Sequence, residues 1–148
     1  MAVGSAQAGW EAENPWTAEE RGAMIEAWAE SANLSVSVVH IEDINDPPRW
    51  VEHATKVHGT GTLVTSDEPT GNLYAQAGWD VHEVELSQRT TLEGWRVRQT
   101  IRMLSTVMDD EATREVLSAS VPSAVIEWLI ENDAVFRCST FETGVHAG

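Results

Sequence analysis

Apolar residues in this chain recur in short periodic segments, and none approaches the ~18 consecutive residues of a transmembrane helix. Each segment is bounded by Pro, Gly, Asn or Asp. The pattern dictates several short elements sharing a core rather than one long helix or a membrane span. At 148 residues the chain has the length of one domain. A domain over 1–148 is expected, with 1–13 and 142–148 as loose arms.

The segments differ in period. Thr17-Ala-Glu-Glu20 has the spacing of a capping box, and Met24, Ile25, Trp28 and Ala32 follow at helical spacing. Leu34 to Ile41 alternates and is rich in β-branched residues, so it reads as a strand. Asp46 with Pro47 starts a short helix that Gly59 stops. Gly61 to Thr65 and Leu73 to Trp79 read as strands around the turn Ser66 to Asn72. Val81 to Gln88 reads as a further strand. So does Trp95 to Met103, with Trp95, Val97, Ile101 and Met103 on one face and Arg96, Arg98 and Arg102 on the other. Asp109 or Asp110 caps a helix reaching Ala119, and a second helix runs through Asn132 with Pro122 in its first turn. Ala134 to Phe141 reads as a last strand. The expected fold is therefore α+β, a single domain. It has a mainly antiparallel sheet of about five or six strands, an N-terminal helix and two C-terminal helices.

Charge narrows the partners. The formal charge is −15, with 24 acids against nine bases, of which only Lys56 is a lysine. Such a chain repels nucleic acid and anionic membrane. The acid excess lies in residues 1–46 and 105–148. The expected function is an acidic protein-interaction module, an inhibitor, immunity-type antidote or adaptor, that binds a basic protein partner. Candidate contacts are Glu42, Asp43 and Asp46, then Asp67 and Glu68, with Trp10 and Trp16 as aromatic anchors. Asp109, Asp110 and Glu111 are further candidates, although acids at a helix start are also favoured by the helix dipole. A second copy pairing at the Ala134 to Phe141 edge is another partner to consider. An environmental origin of the charge, in a salt-adapted or GC-rich genome, is the competing explanation.

Chemistry-bearing motifs are scarce. His40, His53, His58, His82 and His146 are scattered, and no HExxH or CxxC motif occurs, so neither a metal nor a cofactor is expected. Cys138, the single cysteine, reads as a small core residue. It cannot form an intramolecular disulfide, and no signal-peptide pattern opens the chain; both fit a cytoplasmic protein. The arginine face of Trp95 to Met103 reads as an anion site or as cross-strand partners for Glu83 and Glu85. No catalytic residue is assigned. The alternative is a small α+β enzyme or ligand-binding protein of isomerase, cyclase or lyase type. Asp80, His82 and Glu83 would then do acid–base work beside Trp79 in a cupped sheet.

Overall fold

In the computed structural model, residues 1–87 and 92–141 are described. Strands and helices alternate through the first half: β1 Ala2–Val3, α1 Ala18–Ser31, β2 Val39–His40, α2 Pro47–His58, β3 Thr62–Thr65, α3 Glu68–Gln76 and β4 Asp80–Glu83. Three helices follow, α4 Gly94–Leu104, α5 Asp110–Leu117 and α6 Ser123–Glu131, and then a 3-10 turn at Phe136–Ser139. β1 lies parallel to β2, with Ala2 opposite Val39. β3 lies parallel to β4, with Thr62 opposite Asp80 and Thr65 opposite Glu83. A parallel pair requires a crossover, and α1 and α3 supply the two crossovers here.

The expected antiparallel sheet of five or six strands is therefore corrected to six helices and two short parallel pairs among the described residues. Two segments account for most of the difference. Leu73 to Trp79 is not a strand, because the supposed turn before it is a helix start. Asp67 caps α3 by accepting from the Thr70 backbone N–H at 3.0 Å, and Pro69 sits in the first turn. Gly71 and Tyr74 then share the buried face. Trp95 to Met103 is α4. Val97, Ile101 and Leu104 fall at i, i+4 and i+7 and face the core, while Trp95 and Met103 are exposed. The arginines are thus on a helix and form no strand face. Arg96 pairs with Glu93 one turn earlier, and Arg102 donates to the Phe141 carbonyl.

Other segments depart less. Of Leu34 to Ile41, only Val39–His40 pairs as a strand. Ala134 to Phe141 holds the 3-10 turn instead of a strand edge. Val81 to Gln88 is a strand only as far as Glu83, and Gln88 lies outside the described residues. His146 and the expected C-terminal arm, 142–148, lie outside them too. The segment 1–13, read as a loose arm, carries β1, whose Val3 is buried against the fold.

Helix starts follow the sequence closely. Thr17 and Glu20 form the reciprocal capping box, the Thr17 N–H donating to Glu20 Oε2 at 2.8 Å and the Glu20 N–H to Thr17 Oγ1 at 3.2 Å. Asp46 precedes α2 with proline in its first turn, and Gly59, at φ +75°, ends it. Asp109 accepts from the N–H groups of Glu111 and Ala112 at the start of α5.

The interior divides in two. A helical core joins Met24, Ile101, Leu104, Leu117, Ile126, Leu129, Ala134 and Cys138. A smaller core joins Ile41, Val51, Ala54 and Tyr74 between α2, α3 and the strands. Cys138 is buried, and burial pushes its thiol pKa up. No helix among the described residues is long and apolar enough to cross a membrane.

Candidate functional site

In parallel α/β units, ligands bind in the crevice outside the carboxyl ends of the strands. Two clefts lie there. The first, about 250 Å³, is formed by the loop after β2, the first turn of α2 and the middle of α3. Its lining is mostly apolar, from Ile44, Pro47, Trp50 and Leu73, with Asp43, Asn45 and Asp46 along one side. The loop owes its shape to Asn45, at φ +50°, a backbone region that asparagine tolerates better than most residues. Trp50 leans on His53, ring centroids 5.9 Å apart, and the His53 ring Nε2 lies 3.0 Å from the Glu42 carbonyl. The Trp50 ring is thereby held in place from the helix side.

Asp43 ties this loop to the loop after β1. Its carboxylate accepts from Ser5 Oγ at 2.6 Å and Gln7 Nε2 at 3.3 Å, while its N–H donates to Gln7 Oε1 at 2.9 Å. The Ser5 hydroxyl foremost, then Gln7, holds the Asp43 carboxyl below the usual carboxylate range. Arg21, on the first turn of α1, secures the same loop. Its guanidinium donates to the carbonyls of Gly4, Ser5, Ala8 and Thr17. One arginine thus fixes the chain where β1 opens into the crevice.

The second cleft, about 520 Å³, lies beyond the ends of β3 and β4. It is lined by Ser66, Glu68, Glu83, Val84, Glu85 and Leu86. Glu83 sits close over α3: a Cβ added to Gly71 would meet its Oε1 at 3.3 Å. Glycine at 71 is what lets the helix and this carboxylate approach.

The residues singled out from sequence do not gather into one surface. Asp80 and His82 share one face of β4, whereas Glu83 faces the other way beside Gly71. Asp80 and Glu83 stand at opposite ends of the strand, roughly 10 Å apart by strand rise. The three are not one acid–base group. Trp79 packs at the other end, edge-on to Tyr74 and His58, with His58 Nε2 and Tyr74 Oη 2.8 Å apart. Asp43 and Asp46 border the apolar cleft and Glu42 adjoins it. Asp46 is paired with Arg49 and Asp67 is the cap of α3. Glu68 lines the second cleft. Trp16 is structural: its indole N–H donates to the Ala134 carbonyl at 3.2 Å, and its ring packs on the helical core. Trp10 is 61% exposed, with the Arg137 guanidinium 3.8 Å above its ring. Trp50 and Arg21 are the residues that sequence reasoning missed. Nothing in the spacing of either distinguishes it from an ordinary helix residue. Among the described residues, no group of three or more His, Cys, Asp or Glu side chains is placed to hold a metal ion.

No family model matches the chain. Individual proteins do. The chain is 33% identical to a nicotinamide-nucleotide adenylyltransferase of Haloarcula marismortui over 128 residues, which is 86% of this chain and 65% of that protein. It is 33% identical to the nicotinamide-nucleotide adenylyltransferase of Methanoculleus marisnigri over 138 residues, 93% of this chain and 76% of that protein. A relative from Methanolobus tindarius with the same name is 31% identical over 138 residues, 93% of this chain and 74% of that protein. The chain thus spans between 65% and 76% of the length of these three relatives. The expectation of an inhibitor, immunity-type antidote or adaptor is overturned, because these relatives are named as enzymes. The enzyme alternative fits better, although the chemistry they are named for is group transfer rather than isomerase, cyclase or lyase chemistry. The chain belongs to the nicotinamide-nucleotide adenylyltransferase family.

Proposed function

We propose that this chain takes part in transferring an adenylyl group to a nicotinamide nucleotide, with the apolar cleft beside Trp50 receiving the pyridine ring. The observation that carries the reading is the combination of place and lining. An aromatic, mostly apolar cleft of about 250 Å³ stands at the carboxyl end of a parallel strand, where such folds bind nucleotides. Its volume suits one ring better than a whole nucleotide. A flat cationic ring against the indole face also gains from cation–π attraction. Asp43, kept ionised by Ser5 and Gln7, adds a fixed negative charge on the side of the cleft.

Adenylyl transfer joins two phosphates. An oxygen of the acceptor phosphate attacks the donor's adenylyl phosphorus, a P–O bond forms, and the bond to the departing phosphate group breaks. Catalysis of such a step is mostly positioning and charge stabilisation. Arg21 is a positioning residue on this reading, because it holds the loop that joins β1 to the Asp43 side of the cleft. The second cleft carries Glu68, Glu83 and Glu85. Carboxylates accept hydrogen bonds from sugar hydroxyls and repel phosphate, so this cleft suits a ribose rather than a polyphosphate. A cytoplasmic setting belongs to the same proposal, since both substrates are multiply charged and do not cross membranes unaided.

Titration with nicotinamide mononucleotide, followed by calorimetry, tests the reading. Loss of a base–tryptophan stack costs about 1–3 kcal/mol, so Trp50→Ala should weaken binding by roughly tenfold or more. Trp50→Phe should recover part of it. Equal affinity in Trp50→Ala and the unaltered protein would remove Trp50 from the site.

A further inference from the structure

We propose that a separate cavity among α4, α5, α6 and the 3-10 turn binds a small organic cation with an apolar body. The cavity is about 430 Å³, inside the roughly 300–1,000 Å³ range of small-molecule sites. Its floor is Leu104 and Leu129, both buried, and Val135 and Phe136 form a wall. Three carboxylates, Asp109, Asp110 and Asp133, lie among its lining, which includes no Lys, Arg or His. Ser105 and Thr113 add two hydroxyls, but the only charged side chains in the lining are negative, so the cavity selects for charge as well as shape.

The acids are not equally committed. Asp109 holds the start of α5 through one carboxylate oxygen. Asp110 feels the charge of Arg114, but that guanidinium is bound through two N–H groups to Glu127, each at 2.8 Å. Asp133 makes no side-chain hydrogen bond or ion pair among the described residues. Its backbone is left-handed, at φ +52°, as is that of Met108, also at φ +52°. For methionine that conformation is unusual, and the residue is 87% exposed beside the cavity. A polarizable, unbranched thioether there adapts to ligands of varied shape.

A concave cavity of this size fits a small ligand better than a flat protein surface. It is built from different elements than the clefts at β2, β3 and β4, so it stands or falls independently of the adenylyl-transfer reading.

Octylguanidinium is the probe. Methyl NMR of the whole protein should show saturable shifts at Leu104, Leu129, Ile130 and Val135. Octanoate and 1-octanol should bind at least about tenfold more weakly, and added salt should weaken octylguanidinium alone. The double variant Asp110→Asn with Asp133→Asn should lose roughly tenfold in octylguanidinium affinity, while its circular dichroism melting curve shows it folded. Equal binding of octanoate would overturn the proposal, as would shifts confined to other methyl groups. Binding of an arginine-containing peptide without binding of octylguanidinium would also overturn it, and would make this surface a protein contact. If the double variant does not fold, the comparison of the three probes on the unaltered protein still decides.

Discussion

The helical half and the strand half of this molecule are built on different terms. The helical half closes seven residues from five elements, with Ala134 from the loop after α6, into one apolar core, and Leu117, Leu129 and Ile101 are almost wholly excluded from water. The core cluster of the strand half has four buried residues, and the aromatic group of His58, Tyr74 and Trp79 beside it is held partly by a hydrogen bond between side chains. Its strands are short. Val64 is 62% exposed in the middle of β3, where parallel strands are ordinarily covered on both faces. Both clefts at the strand ends lie on this lighter half. Stability is thus concentrated away from the candidate site, as expected where binding loops come from the less stable parts of a fold.

The contrast can be broken most forcefully from the helical side. Leu129→Ala empties a fully packed position and should cost about 2–5 kcal/mol in urea unfolding. Nicotinamide mononucleotide affinity, measured well below the melting temperature, should stay within about twofold. A large loss of affinity without unfolding would mean the halves are one energetic unit.

Next in size is the ion pair that closes the helical side over the N-terminal loop. Glu20 and Arg137 are both largely buried, and Arg137 also covers Trp10. Arg137→Ala should cost about 1–3 kcal/mol, below the value for a fully buried pair because some exposure remains. The Arg137 hydrogen bond, ahead of the Thr17 N–H, lowers the Glu20 carboxyl pKa in the folded protein. Its contribution is therefore complete above the unfolded carboxyl value and is lost as pH falls through the lower folded value. Glu20→Gln should flatten the acid limb of a stability-versus-pH curve measured by urea unfolding. An unchanged acid limb would exclude this pair as its source.

Smaller effects test the strand half. Tyr74→Phe removes the bond to His58 and should cost about 0.5–1.5 kcal/mol. Hydrogen exchange should quicken in α2 and β3 more than in α6; uniform quickening would deny the strand half its separate stability. The smallest expected effect sharpens the comparison by matching like with like. Asp67→Ala and Asp109→Ala each remove a helix cap, worth about 1 kcal/mol. Only Asp67→Ala should alter nicotinamide mononucleotide binding, because α3 carries Leu73 into the apolar cleft.

Local rules made the ends of helices legible and left their interiors ambiguous. Thr17 and Asp109 announce α1 and α5 by side-chain hydrogen bonds within one turn, and α2 is announced by the proline that follows Asp46. The stretch Trp95 to Met103 has apolar residues that satisfy alternation and helical spacing together. Only the burial of Leu104 and the exposure of Trp95 and Met103 decide for the helix. The sequence Ser66 to Asn72 holds Pro, Gly and Asn, which serve equally in a turn and in a helix's first turns. Misjudging Ser66 to Asn72 removes the α3 crossover and so turns a parallel pair antiparallel, and misjudging Trp95 to Met103 adds a strand where α4 stands. The candidate site was less legible. Acids read as a docking surface are largely spent on caps and local pairs, and the Trp50 cleft exists only where the loop after β2 meets Leu73 of α3.

Cys138 lends the helical core a clock of its own. It is the chain's single thiol, buried among the residues that define that core and pushed toward the uncharged form. A thiol reagent can reach it only when the helices part, so its labelling rate in the unaltered protein times the opening of that half. Binding at the distant strand ends should leave that rate unchanged unless the two halves open together.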